Sequence, residues 1–219
     1  MPKNTFSIIS DEKRGRIYDA AVHEFAREGY EKASIKNIAA RAEISKGSLY
    51  DYFENKEDLY LAVCTYGITL SRQNIDEIID DSLDFFEQIR LIFHRGLSFV
   101  VENPEYTQLY VNLSSCGMER FADQLTTKVE KTTADFYKSA LRRGVDGGYI
   151  RKDVDLNTAA FVINSLYIIM LISMVSRHYR IRMQEYLEID ETDVQREAFK
   201  TIDQLIDTIR FSLEVRPAD

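Results

Sequence analysis

A run of about 17 almost uninterrupted apolar residues, AAFVINSLYIIMLISMV from Ala159 to Val175, makes the hardest demand on this chain. It is borderline for a membrane span, and Asn164, Ser165 and Ser173 interrupt it. Charged residues crowd both flanks and no second segment like it exists, so it reads as a buried helix and no membrane is expected. A helix apolar nearly all round must be covered on more than one side. A single-chain core covers one face, and the other calls for a second subunit. The last helical pattern, 192–214, supplies a neighbour, with Val194, Ala198, Ile202, Leu205, Ile206, Ile209 and Leu213 at steps of three and four. Two such helices from each of two copies make a four-helix interface, so a two-fold homodimer is expected.

The same periodicity runs through the rest. Patterns over 10–29, 35–42, 45–53, 55–79, 83–102, 104–116 and 119–144 bring the total to about nine helices. With three prolines, nine glycines and no Asn-Gly hairpin signal, the fold class is all-α. The punctuation has chemical reasons. Ser10, Asp11 and Glu12 open the first helix, and Gly29 stands where a left-handed cap would close it. Asn55 and Asp58 form an imperfect capping box. Asn103-Pro104 ends one helix and Pro104 begins the next. Residues 1–9 read as a frayed tail, and His23 as a surface or edge residue.

Ser34 to Phe53, SIKNIAARAEISKGSLYDYF, is a different kind of signal. Ser34 caps a short pattern of Ile35, Ile38, Ala39 and Ala42; Ser45 caps a second with Leu49 and Phe53 on one face. Two short helices across a three- to four-residue turn are a helix-turn-helix, whose second helix can enter a DNA major groove. Apart from Leu49 and Phe53, that helix is Ser45, Lys46, Gly47, Ser48, Tyr50, Asp51 and Tyr52, a poor set for filling a core. Gly47 costs a helix about 1 kcal/mol against alanine, a cost that suits close approach of backbone to a partner.

The strings EFAREGYEKAS, IKNIAARA and ISKGSLYDYFENKEDL, followed by a long helical remainder, resemble the TetR family of bacterial transcription regulators. The motif resemblance covers roughly the first quarter of the chain; the rest agrees in length and helical character. It implies a three-helix DNA-binding domain at 1–55 and a larger helical ligand-binding and dimerisation domain at 56–219. Position by position, it implies that Ser34, Lys46, Tyr50, Tyr52 and Lys56 lie near phosphates. Ser45, Gly47, Ser48 and Asp51 would face base edges or the backbone around them. The fourth helix would link the two domains and tilt when ligand binds, and the last two long helices would dimerise. Glu43 departs from the pattern, standing in the turn where the family commonly has glycine.

The net charge of −8 is unevenly spread. Residues 1–56 carry 10 basic and 9 acidic groups, and the remainder 18 and 27. The acidic excess therefore lies outside the helix-turn-helix, whose basic groups must act by local arrangement. Cys64 and Cys116, far apart and outside any metal-ligand pattern, read as buried small hydrophobes in a reducing cytoplasm. Met1 to Ser10 is polar and is not a secretory leader. Aromatic and aliphatic residues mix through the larger domain, which suggests an apolar cleft with a few polar groups. Candidate lining residues are Tyr66, Phe93, His94, Tyr110, Asn112, Cys116, Asn164 and Tyr167.

Three scattered histidines, with no metal spacing, nucleophile–base pair or phosphate loop, argue against an enzyme; no cofactor, catalytic residue or metal site is expected. The expected function is a cytoplasmic, dimeric repressor released from a palindromic operator in double-stranded DNA by a small hydrophobic effector. The alternative is a helix-turn-helix regulator without a small-molecule effector, controlled by a protein partner.

Overall fold

The computed structural model describes residues 2–80 and 82–215. It contains α1 (Asn4–Ser7), α2 (Asp11–Lys32), α3 (Ile35–Arg41), α4 (Lys46–Tyr52), α5 (Lys56–Asp76) and α6 (Phe85–Glu102). These are followed by α7 (Pro104–Asn112), α8 (Glu119–Asp146), α9 (Leu156–Val175), α10 (Arg177–Leu187) and α11 (Val194–Leu213). Among the described residues there is no strand, only an isolated antiparallel bridge between Ile150 and Glu214. The all-α class is as expected, with two helices more than the periodicity predicted.

The additional helices are α1 and α10. The tail at 1–9 is not frayed along its described length: Phe6 is buried against Tyr18, Tyr52 and Phe53, with ring centroids 5.3, 5.8 and 4.7 Å away. One apolar anchor in a four-residue helix leaves no period to read. Helix α10, RHYRIRMQEYL, buries only Met183 and so has no apolar stripe to announce it.

The chain forms two compact units, one of Met1–Leu70 with Asn103–Leu125, the other of Ser71–Glu102 with Thr126–Asp219. In the first, α2 is the central element. Its stripe of Ile17, Ala21, Val22 and Phe25 is buried, and α3 and α7 pack against the helix. Gly29 takes φ 70°, as its place in the sequence suggests, but the helix kinks there and resumes for a last turn. Phe25, Tyr30, Tyr60 and Phe121 form an aromatic cluster, with Phe121 4.7 Å from Tyr30 and 5.0 Å from Tyr60. Such pairs add about 0.5–1.5 kcal/mol each beyond burial. His23, read as a surface or edge residue, is half-buried and hydrogen-bonded to Glu105 of α7 at 2.7 Å.

Cys64 is buried in this unit, and burial pushes its thiol up to about 12. Cys116 corrects the expectation of burial: α7 stops at Asn112, and Cys116 lies exposed in the turn before α8.

In the second unit α6, α9 and α11 pack against one another. Phe86, Ile89, Phe93 and Leu97 of α6 meet Ala198, Ile202 and Ile206 of α11 in its core. Arg90 bridges Asp203 at 2.6 Å and Asp207 at 3.0 Å, and Arg210 returns to Glu87 at 2.9 Å. Helix α9 buries only Ala160, Ile163, Met170 and Ser173 of its 20 residues. Phe161 of α9 is 74% exposed and Phe211 of α11 69%.

Candidate nucleic-acid interface

Helix α3 starts as its sequence dictates, with the Ser34 hydroxyl accepting from Asn37 N–H at 3.4 Å. Glu24 of α2 fixes the same corner by accepting from Ser34 N–H at 2.8 Å and Asn37 Nδ2 at 3.2 Å. The helix ends in a two-bond motif: Glu43 N–H donates to Ala40 O at 3.2 Å and Ile44 N–H to Ala39 O at 3.0 Å. That pairing is a Schellman cap, which needs a left-handed residue at its centre. Glu43 provides it at φ 57°, with its side chain exposed. The glycine-to-glutamate departure therefore leaves the turn intact and costs local strain.

Helix α4 is capped by Ser45, whose hydroxyl accepts from Ser48 N–H at 2.9 Å and also meets the Ser48 hydroxyl at 2.9 Å. Leu49 and Tyr52 face inward and are buried, while Lys46, Gly47, Tyr50 and Asp51 are exposed. The Lys46 ammonium lies 5.9 Å from the Tyr50 ring centroid. A Cβ at Gly47 would meet only Ser45 Oγ, at 3.6 Å. Among the described residues nothing requires glycine there, and an approaching surface has the space to itself.

The last two candidates on this side hold the unit together from within. Tyr52 packs on Phe6, with Lys13 Nζ 5.3 Å from its ring centroid. Lys56 Nζ donates to Glu31 O at 3.0 Å and Ala33 O at 3.4 Å, above the Tyr30 ring at 4.7 Å. Residues 3–6, which sequence reasoning passed over, touch the far end of α4. Lys3 N–H donates to Tyr52 O at 2.9 Å, Lys3 Nζ to Tyr50 O at 2.9 Å, and Thr5 Oγ1 to Asp51 O at 2.5 Å. The only sequence signal for this was Phe6, a lone aromatic in a polar tail.

The ligand candidates divide evenly between the units. Tyr66, Tyr110, Asn112 and Cys116 lie in the first. Tyr66 stacks on Tyr18 at 4.3 Å, and Asn112 Nδ2 donates to Phe25 O at 3.4 Å and Ala26 O at 3.3 Å. Phe93, His94, Asn164 and Tyr167 lie in the second. His94 hydrogen-bonds Asp203 at 2.9 Å and stacks on Phe199. Asn164 is half-buried on α9. Phe93 and Tyr167 are together, ring centroids 4.9 Å apart. Gly96 makes that possible, because a Cβ there would come within 2.7 Å of Tyr167 Cζ. Burial raises the Tyr167 phenol above its ordinary range, and burial with the nearby Tyr167 does the same for Tyr137. Gly96 and Tyr137 belong to this aromatic group but were not chosen from sequence, since a helical glycine and one tyrosine among thirteen carry no spacing signal.

A Schellman turn between two short capped helices, the second with an exposed polar face, defines a helix-turn-helix DNA-binding regulator. Residues 17–63 match the model of the bacterial regulatory proteins of the tetR family. The chain is 28% identical over 173 residues to the uncharacterised HTH-type transcriptional regulator YhgD of Bacillus subtilis, covering 78% of this chain and 88% of that one. It superimposes on a TetR family transcriptional regulator from Chloroflexus aurantiacus with TM-score 0.70 and 27% identity, covering 99% and 100% of the two chains. It also shares its fold with FadR from Bacillus subtilis, solved in complex with stearoyl-CoA, at TM-score 0.66 and 19% identity, covering 86% and 96%. The chain belongs to the TetR family of transcription regulators, and it is a DNA-binding regulator rather than an enzyme.

Proposed function

We propose that the protein is a cytoplasmic homodimeric repressor that leaves a palindromic operator when a small, mostly apolar effector binds. The observation that carries this is the face of α4, where Lys46, Gly47, Tyr50 and Asp51 stand clear of the core on a helix capped at its start. Lys46 supplies charge to phosphates, a contact that adds affinity without sequence information. The Asp51 carboxylate suits the amino group of a cytosine in the major groove. Ser34, Ser45, Gly47, Ser48 and Tyr50 complete the surface, with Tyr52 and Lys56 holding it from behind. In this reading residues 1–55 bind DNA and 56–219 bind effector and partner.

The dimer reading is supported by α9 and α11. Burying a phenylalanine contributes about 1.5–3 kcal/mol, and Phe161 and Phe211 leave most of that unused in one copy. The effector reading is supported by the aromatic group of Phe93, Tyr137 and Tyr167, and by the stearoyl-CoA complex of the fold relative. A fatty acyl chain is the proposed class. An effector shifts the protein off DNA only by binding the released state better than the DNA-bound one.

Selection of bound duplexes from a random pool at two salt concentrations tests this. A palindromic consensus whose affinity falls steeply with salt is expected. Lys46→Ala should weaken binding to every duplex and reduce the salt slope by about 1 unit per subunit. Asp51→Ala should change the selected sequence instead. Equal behaviour of both variants and wild type would remove α4 from the interface. Thermal shifts with acyl-CoA thioesters of graded length test the effector class; no shift with any of them would favour control by a protein partner.

A further inference from the structure

We propose that residues 3–6 set the geometry of the DNA-reading helix from behind, with Lys3 and Thr5 acting as positioning residues for operator recognition; this rests on the reading that α4 meets DNA. The last four carbonyls of a helix have no continuing turn to donate to them. In α4, two turns long, that is more than half of the element. Leu49 O is met by Phe53 N–H at 3.0 Å. The remaining three, on Tyr50, Asp51 and Tyr52, are all taken by one short segment distant in sequence. Lys3 Nζ takes the first, Thr5 Oγ1 the second and Lys3 N–H the third.

The pattern has three independent supports. Lys3 places a cation at the negative end of α4, where the helix dipole favours it, and it also lies 3.6 Å from Glu54. Phe6 anchors the segment in the core, so the donors are held in place. The residues whose carbonyls are gripped include the two whose side chains are exposed for reading, Tyr50 and Asp51. Fixing those carbonyls fixes the backbone, and with it the Cα–Cβ directions from which both side chains reach out, before DNA arrives. Ordering them on contact instead would cost part of the specific binding energy. Non-specific binding is held by charge and asks little of side-chain direction.

The test measures the affinity of the full chain for its selected operator and for a random duplex, alongside thermal melting. Thr5→Val removes the donor at nearly constant shape. It should lower operator affinity about tenfold, as expected for a helix end whose backbone must be ordered on binding, and leave random-duplex affinity within about twofold. Thr5→Ser keeps the hydroxyl and should restore the operator affinity. Lys3→Met should behave like Thr5→Val, and Lys3→Arg like wild type. A loss shared equally by operator and random duplex would overturn positioning in favour of direct phosphate contact by Lys3 or general unfolding, which melting separates. Unchanged operator affinity in Thr5→Val would also overturn it. Failure of the wild type to select any duplex would instead overturn the DNA-reading assignment of α4, and the positioning role with it.

Discussion

At the scale of single residues, Glu43 carries the clearest cost. A left-handed conformation costs a non-glycine residue about 1–2 kcal/mol. Glycine would remove that, while giving back about 0.4–1 kcal/mol through the freer unfolded chain. The first effect wins narrowly, so Glu43→Gly should raise Tm by about 1–4 °C in a chain this size. Ser45→Ala should act the other way, losing about 1 kcal/mol with the cap, and it should weaken DNA binding because the helix proposed to read DNA starts there. Scanning calorimetry measures both. Gly96→Ala should cost about 1–3 kcal/mol by overpacking against the Tyr167 ring. Caps were legible in sequence because their chemistry is local: Ser34, Ser45 and Asn55 each act on a backbone N–H three residues on. The inward turn of Tyr52 and Lys56 was not, since it depends on Phe6 and Tyr30, more than 20 positions away.

At the scale of elements, two helix pairs show what polar ties contribute. Helices α2 and α7 are joined by His23 to Glu105 and by the Asn112 amide on the carbonyls of Phe25 and Ala26. These carbonyls precede the Gly29 kink, where the backbone of α2 leaves helical φ/ψ. Asn112→Leu should therefore destabilise the protein by about 1–3 kcal/mol, read from urea melts, by leaving them under-satisfied. Helices α6 and α11 are joined by Arg90, His94 and Arg210 against Asp203, Asp207 and Glu87. Burial pushes the Asp203 carboxyl up, but hydrogen bonds from His94 and Arg90 prevail and hold it below its ordinary range. A depressed carboxylate adds stability above its unfolded value and loses it as pH falls through the folded one. Acid melting should thus weaken the α6–α11 joint below about pH 4, and Asp203→Asn should flatten that dependence while lowering stability at pH 7. The other nine helices were legible from their 3.6-residue stripes. Helices α1 and α10 were not, because one anchored by Phe6 alone and one burying Met183 alone show no period.

At the scale of the whole molecule, Phe161→Glu and Phe211→Glu should each convert the proposed dimer to monomer in sedimentation, because a carboxylate would then have to be buried where that proposal buries a phenyl ring. A fragment ending at residue 70 should be far less stable than the first unit within the full chain. It lacks Leu109, Leu113, Met118, Phe121 and Leu125, which cover that core. At about 1.5–3 kcal/mol for each large side chain buried, their loss rivals the 5–15 kcal/mol that holds a typical domain. Sequence showed the helix-turn-helix but could not show this second contribution, since Phe121 meets Tyr30 across 91 positions with no motif between. That discontinuity also has a meaning in time. On the ribosome, Tyr30 and Tyr60 are made long before Phe121, and helix α6, which belongs to the other unit, is made in between. The reading helix can form early, but the core beneath it stays open until the start of α8 is out, leaving a window in which a nascent chain would need shelter from its neighbours.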